Sequence, residues 1–216
     1  SSNSRIMLVG ITQRVDKVSS YNEWRDSVDQ RLIEWVVESG FIPVLIPNSL
    51  VDLKLSKTEQ PILDDWLQSL SIDSLLLSGG NDIGSIPKRD LTESYLLSWA
   101  EKNYKPVLGI CRGMQMMGVY CGEKLVNRVG HIRTRHKLQI IDSKKIFPES
   151  VNSYHNYALE KCPTEFNILA RSEDGSLEAM MHKELPWEAW MWHPEREKIF
   201  LKKDKKRFIK LINNEK

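Results

Sequence analysis

Apolar runs along this 216-residue chain are short and bounded by turn residues, and they alternate with longer stretches whose apolar positions recur at helical spacing. That alternation predicts parallel strands joined by crossover helices, an α/β fold. Strands are expected at residues 6–11, 41–46, 74–77 and 106–110, with helices at 29–39, 61–70 and 92–103 between them. In the first helix Leu32, Ile33, Val36 and Val37 fall on one face, and Gly40 stands where a helix C-terminal cap is wanted. The second half is less regular. β-Segments are expected at 137–141, 167–171, 177–181 and 188–192, separated by turns such as Glu173-Asp174-Gly175, and they read as antiparallel edge strands. A last helix at 204–213 spaces Phe208, Ile209, Leu211 and Ile212 among lysines, as a docked helix with a solvated face does. No internal repeat or linker interrupts the chain, so residues 1–216 are expected to form one domain.

Composition narrows this picture only slightly. With 41% hydrophobic and 28% charged residues the chain reads as an ordinary globular protein. A formal charge of +2, from 31 basic and 29 acidic residues, gives no sign of a nucleic-acid or membrane partner. The longest apolar stretches are about seven residues, far below the roughly 18 that span a bilayer, and the polar start at residues 1–5 has no signal-like apolar region. The cytoplasm is the expected location. Cys111, Cys121 and Cys162 are an odd number without a CxxC pair, which argues against a disulfide framework and a zinc site. His131, His136 and His182 show no ligand spacing, and there is no GxGxxG or P-loop lysine, so neither a metal nor another cofactor is expected.

Candidate chemistry concentrates in three places. Pro106-Val107-Leu108-Gly109-Ile110-Cys111-Arg112-Gly113 runs an apolar strand straight into a cysteine flanked by glycines and followed by a helix-like segment. A residue at such a turn is strained and presented outward, and the helix N-terminus together with Arg112 favours a thiolate. A buried cysteine packing at a strand end would give the same local pattern. The second place is Trp192-His193-Pro194-Glu195, where His193 could take the thiol proton and Glu195 could fix the imidazole. The third is Leu77-Ser78-Gly79-Gly80-Asn81-Asp82, a strand ending in two glycines whose amides can approach a developing oxyanion. Taken alone, His-Pro-Glu is a weak motif and Gly-Gly-Asn-Asp is a loop.

Leu-Leu-Leu-Ser-Gly-Gly-Asn-Asp, Gly-Ile-Cys-Arg-Gly-Met-Gln, Val-Asn-Ser-Tyr-His-Asn-Tyr and Trp-His-Pro-Glu, in this order, resemble the class I glutamine amidotransferase superfamily. More narrowly the chain is similar to its stand-alone γ-glutamyl hydrolases, the C26 peptidases. The resemblance implies a three-layer sandwich with a mostly parallel central sheet. It implies that Cys111 is the nucleophile, His193 the general base and acid, and Glu195 its orienting partner, with Gly80 and Arg112 as oxyanion donors. It also implies that Gln115 and the loop Asn152, Ser153, Tyr154 and His155 bind a small-molecule γ-glutamyl substrate, and that His193 rather than His155 is the base.

The Asn-Ser-x-His-Asn-x-Ala loop and the closing Met-Trp-His-x-Glu-Arg-Glu resemble members that act on a nucleotide-linked substrate in capsule synthesis. For such a substrate Arg112, His131, Arg133, Arg135, His136 and the pair Lys88-Arg89 are candidate pyrophosphate contacts. Segment 128–137 reads equally well as a solvated basic loop. Trp187, Trp190 and Trp192 read as core and rim packing, with base stacking as the alternative for an exposed one. A glutaminase serving a separate synthetase partner, and a non-catalytic protein of the same fold, are the competing readings.

Overall fold

The computed structural model describes residues 5–142 and 144–215. The polar start at residues 1–4 lies outside them. Strand β1 (Leu8–Ile11) is followed by a hairpin of β2 (Arg14–Val18) and β3 (Glu23–Ser27), then helix α1 (Gln30–Glu38) and strand β4 (Ile42–Leu45). Helix α2 (Pro61–Leu70), strand β5 (Ser74–Leu77), helix α3 (Pro87–Asn103), strand β6 (Val107–Ile110) and helix α4 (Arg112–Tyr120) continue the alternation. The second half supplies β7 (Leu125–Asn127), β8 (Ile132–Lys137), β9 (Gln139–Ile140), β10 (Ser150–Tyr154) and β11 (Tyr157–Leu159). It closes with β12 (Phe166–Arg171), β13 (Leu177–His182), β14 (Trp187–Trp190) and helix α5 (Lys202–Ile212).

The central sheet has the order β4-β1-β5-β6-β14-β13-β12-β9. Pairing is parallel from β4 to β14 and antiparallel from β14 to β9. All four residues of β5 and of β6 are buried, as expected for strands covered on both faces. The two-residue period of β14 shows what covers them. Trp187 packs edge-on against Tyr120 of α4 at 6.0 Å, while Trp190 packs against Trp35 of α1 at 6.2 Å on the opposite face. Phe208 of α5 stacks on Trp35 at 4.6 Å, so helices close both faces of a three-layer α/β sandwich. Among the described residues no helix is long and apolar enough to cross a membrane.

Several expectations change. Helix α3 starts five residues before the expected position, at Pro87, whose fixed φ and missing N–H suit a first turn. In α1 the core face is Leu32, Trp35 and Val36, whereas Val37 is 54% exposed. The β2–β3 hairpin has no apolar alternation to announce it, because nearly all its residues are exposed. Segment 128–137 is no loop over most of its length but the strand β8, and Asn152, Ser153 and Tyr154 lie on β10, paired antiparallel with it. Trp187, Trp190 and Trp192 are all buried, so none can stack on a base.

Candidate active site

Strands β5, β6 and β14 lie side by side in parallel, so their carboxyl ends meet at one edge, the place where open α/β sheets bind ligands. Cys111 follows β6 directly with φ 53° and ψ −103°, a left-handed conformation costing a non-glycine residue about 1–3 kcal/mol. Its amide donates to the Trp190 carbonyl at 2.7 Å and its carbonyl accepts from the Gln115 amide, so strand and helix together hold the elbow. The flanking glycines do more than clear a path. A Cβ on Gly113 would lie 2.3 Å from the Leu77 carbonyl oxygen, and one on Gly109 would lie 2.7 Å from the Gly113 carbonyl carbon. Only glycine lets α4 approach β5 and β6 this closely.

His193 follows β14 and is 2% exposed. Its Nδ1 lies 2.6 Å from Glu195 Oε1, which leaves Nε2 for another partner. Burial alone would lower the imidazole, but the Glu195 carboxylate and the adjacent Cys111 sulfur outweigh it and raise the imidazole well above its ordinary value. Burial would likewise raise Glu195, yet His193 holds that carboxyl below its usual range. The three residues that the resemblance grouped are therefore brought together. The other thiols are unsuited to attack, since burial pushes Cys121 up to about 12 and Cys162 up to about 11.

The Gly79-Gly80 segment closes over this group. A Cβ on Gly79 would stand 2.6 Å from His193 Cε1, and Gly80 has φ +86°. Fully buried Arg89 donates to the carbonyls of Ser78, Gly79 and Gly80 and pairs with Glu93. The second Glu93 oxygen accepts from Arg112, which also pairs with Asp90. Arg112 is thus not a free cation for a thiolate or a pyrophosphate, and neither is Arg89. Their guanidinium groups hold the two segments that carry the expected oxyanion amides.

The wall from β10 also differs from expectation. Asn152 grips the His193 backbone at both ends, its Nδ2 donating to the carbonyl at 2.8 Å and its Oδ1 accepting from the amide at 2.9 Å. Ser153 Oγ donates to the His131 carbonyl, and His155 lies against His131 and the Tyr157 carbonyl. Burial carries His155 down to about 4. Of the four expected substrate-binding side chains only Tyr154 is exposed, with its ring 6.0 Å from that of His193 and the Arg196 guanidinium over its other side. Gln115 Nε2 donates to the Tyr157 carbonyl at 3.0 Å.

Among the remaining expected pyrophosphate contacts, Arg135 is paired with Glu197, His131 is buried against Asp174, and His136 packs on His131. Arg133 and Lys88 are exposed. Sequence reasoning missed Arg14, whose guanidinium would lie 3.2 Å from a Cβ on Gly80 and whose only sign was a place in a charged, unpatterned stretch. It also misjudged Arg89, for which the four-residue spacing to Glu93 was a usable signal once α3 is begun at Pro87.

A cysteine elbow at the carboxyl edge of a parallel sheet, with a buried histidine and glutamate beside it, defines a class I glutamine amidotransferase-like α/β protein. Solved structures share this fold. A putative GMP synthase glutaminase-type protein from Thermoplasma acidophilum superposes with a TM-score of 0.72 at 22% identity, covering 98% of this chain and 96% of that one. The family model for Peptidase C26 matches residues 7–195, and the chain belongs to that family. As a member it is a hydrolase acting on amide bonds. Among its relatives, the γ-glutamyl-CDP-amidate hydrolase of Campylobacter jejuni is 31% identical over 202 residues, covering 88% of this chain and 91% of that protein. The glutamine-hydrolysing GMP synthase component of Pyrococcus furiosus is 29% identical over 150 residues, covering 67% and 77%.

Proposed function

We propose that the protein hydrolyses a γ-glutamyl amide through a γ-glutamyl thioester on Cys111. The observation that carries this reading is His193, held by Glu195 on one side and raised by the Cys111 sulfur on the other. The imidazole takes the thiol proton as sulfur attacks the side-chain carbonyl, and the amides of Gly80 and Arg112 receive the oxyanion. Collapse breaks the C–N bond, with the proton passing from His193 to the leaving nitrogen. Water, deprotonated by the same imidazole, then attacks the thioester and releases glutamate and the thiol. Gln115, Tyr154 and the β10 backbone line the glutamyl side.

For the leaving group we assign a nucleotide-linked amidate of the γ-glutamyl-CDP-amidate kind. Its support is the Campylobacter relative, matched over most of both chains, and the cations Arg14 and Arg196 beside Gly80 and Tyr154. The similarity to the Pyrococcus GMP synthase component favours a second reading, a glutaminase feeding a synthetase.

Glutamate release from γ-glutamyl-CDP-amidate, simple γ-glutamyl amides and free glutamine separates the readings. Expected is partner-independent turnover of the nucleotide-linked compound, abolished in Cys111→Ala, where a covalent glutamyl adduct also disappears. Unchanged hydrolysis by that variant would overturn the nucleophile. Hydrolysis of glutamine alone, stimulated by an added synthetase, would establish the glutaminase instead.

A further inference from the structure

Behind the β10 wall, three fully or almost fully buried side chains from separate strands converge, and none belongs to the proposed reaction. His131 precedes β8, His155 follows β10, and Glu178 lies on β13; they are 0%, 5% and 0% exposed. Their ligand-type atoms all lie within 4.8 Å of one another. His131 Nδ1 is 3.3 Å from His155 Nε2 and 3.9 Å from Glu178 Oε1.

The outward-facing nitrogens decide how this cluster can work. His131 Nε2 lies 2.6 Å from Asp174 Oδ2, a carboxylate oxygen that can only accept, so this nitrogen carries the hydrogen. His155 Nδ1 lies 2.9 Å from the Tyr157 carbonyl and must also be a donor. Both imidazoles, when neutral, therefore turn bare lone pairs toward each other. Glu178 adds a carboxylate whose two oxygens have no hydrogen-bond partner among the described residues. Three electron-pair donors facing one another in a dry space repel unless something positive sits between them.

We infer that His131, His155 and Glu178 form a divalent-metal site of the zinc type, with Asp174 and the Tyr157 carbonyl fixing the two imidazoles from outside. Two nitrogens at about 2.0–2.1 Å from a tetrahedral zinc stand roughly 3.3–3.4 Å apart, which the observed pair matches. A carboxylate and a carbonyl on the far nitrogens are the usual orienting partners of metal-bound histidine. Two imidazoles and one carboxylate leave a fourth position open to water. The Tyr157 carbonyl also accepts from Gln115 of the nucleophile's helix, so the ion would tie β8, β10 and β13 to the floor of the active site. Its role is to position the wall, and the site stands whether or not the hydrolytic reading does.

The test uses the full chain in a Cys111→Ala background, so that the active-site thiol contributes no ligand. After chelator treatment and addition of Zn²⁺, gel-filtered protein should retain one equivalent by elemental analysis, and its melting temperature should rise. Co²⁺ in its place should give the visible bands of a tetrahedral site without a thiolate charge-transfer band. His131→Asn and the isosteric Glu178→Gln should each weaken Zn²⁺ binding at least tenfold. Failure to retain metal would overturn the site and leave a shared proton to bridge the cluster. Retention unaffected by either substitution, or a cobalt spectrum dominated by thiolate, would overturn it equally. The spectrum decides the question even if a variant does not fold.

Discussion

Cys111, Gly80 and His193 stand at the carboxyl ends of neighbouring parallel strands, whereas Asn152, Ser153 and His155 come from the small β8–β10 ladder and the turn beside it. At the parallel edge, main-chain geometry does the placing: a left-handed cysteine, glycines stripped of side chains, and amides aimed by strand direction. In the ladder, side chains do it, gripping the backbone of His193 or one another. The first region forgives almost no added atom, and the second forgives some. A site assembled from both can keep its reacting atoms fixed while its wall varies.

The sharpest way to break that contrast is to add one methyl group on either side of it. In Gly113→Ala the new carbon meets the Leu77 backbone at 2.3 Å, so β5 and α4 must part, and about 3 kcal/mol or more of stability should be lost. In Gly118→Ala it meets the far end of the Leu159 side chain on β11, which can turn aside, and the loss should be about 1 kcal/mol. For a chain of this length the first should lower the melting temperature by roughly 6–12 °C and the second by a few degrees. Equal shifts in thermal unfolding would erase the distinction.

A smaller effect asks what the wall is for. Asn152→Ala removes both bonds to the His193 backbone, about 1–3 kcal/mol of positioning, so kcat should fall roughly 10- to 100-fold with KM little changed. A raised KM at constant kcat would return Asn152 to the substrate-binding role that the sequence suggested.

The smallest effect lies far from both regions, under α5. Asp204 is fully buried beside Trp192, and burial raises its carboxyl to about 7. The folded chain therefore keeps a proton that the unfolded chain has already released, and stability falls as pH rises from about 4 through about 7. Asp204→Asn should stabilise the protein by about 1–2 kcal/mol at pH 8 and hardly at all near pH 4. Thermal melts across that range check the sign; a variant less stable at pH 8 would refute it.

Much of the parallel region was legible because each element obeys one rule. The buried run at 74–77, the Pro-led helix at 61–70 and the cysteine elbow follow from strand burial, helix starts and turn sterics, and the structure has them where the residues put them. The ladder was illegible for the opposite reason. Neither the β2–β3 hairpin nor β8 has apolar alternation, since their partners and the core beneath them come from distant segments. Asn152 could be singled out by resemblance, but the His193 backbone it holds is a tertiary fact with no local signature. The His131, His155 and Glu178 cluster is hidden in the same way: no two of its members share a spacing that a helix or strand would make adjacent.

Glu93 accepts from Arg89 with one oxygen and from Arg112 with the other, and all three side chains are enclosed. One carboxylate therefore acts as a common hinge pin for the strap over the histidine and for the start of the nucleophile's helix. Any tilt of α3 carries both jaws of the anion clamp together and preserves the gap between them. Enzymes that diverge from this chain are free to reshape the exposed hairpin around Arg14 and thereby change what they release, without retuning the clamp that makes release possible.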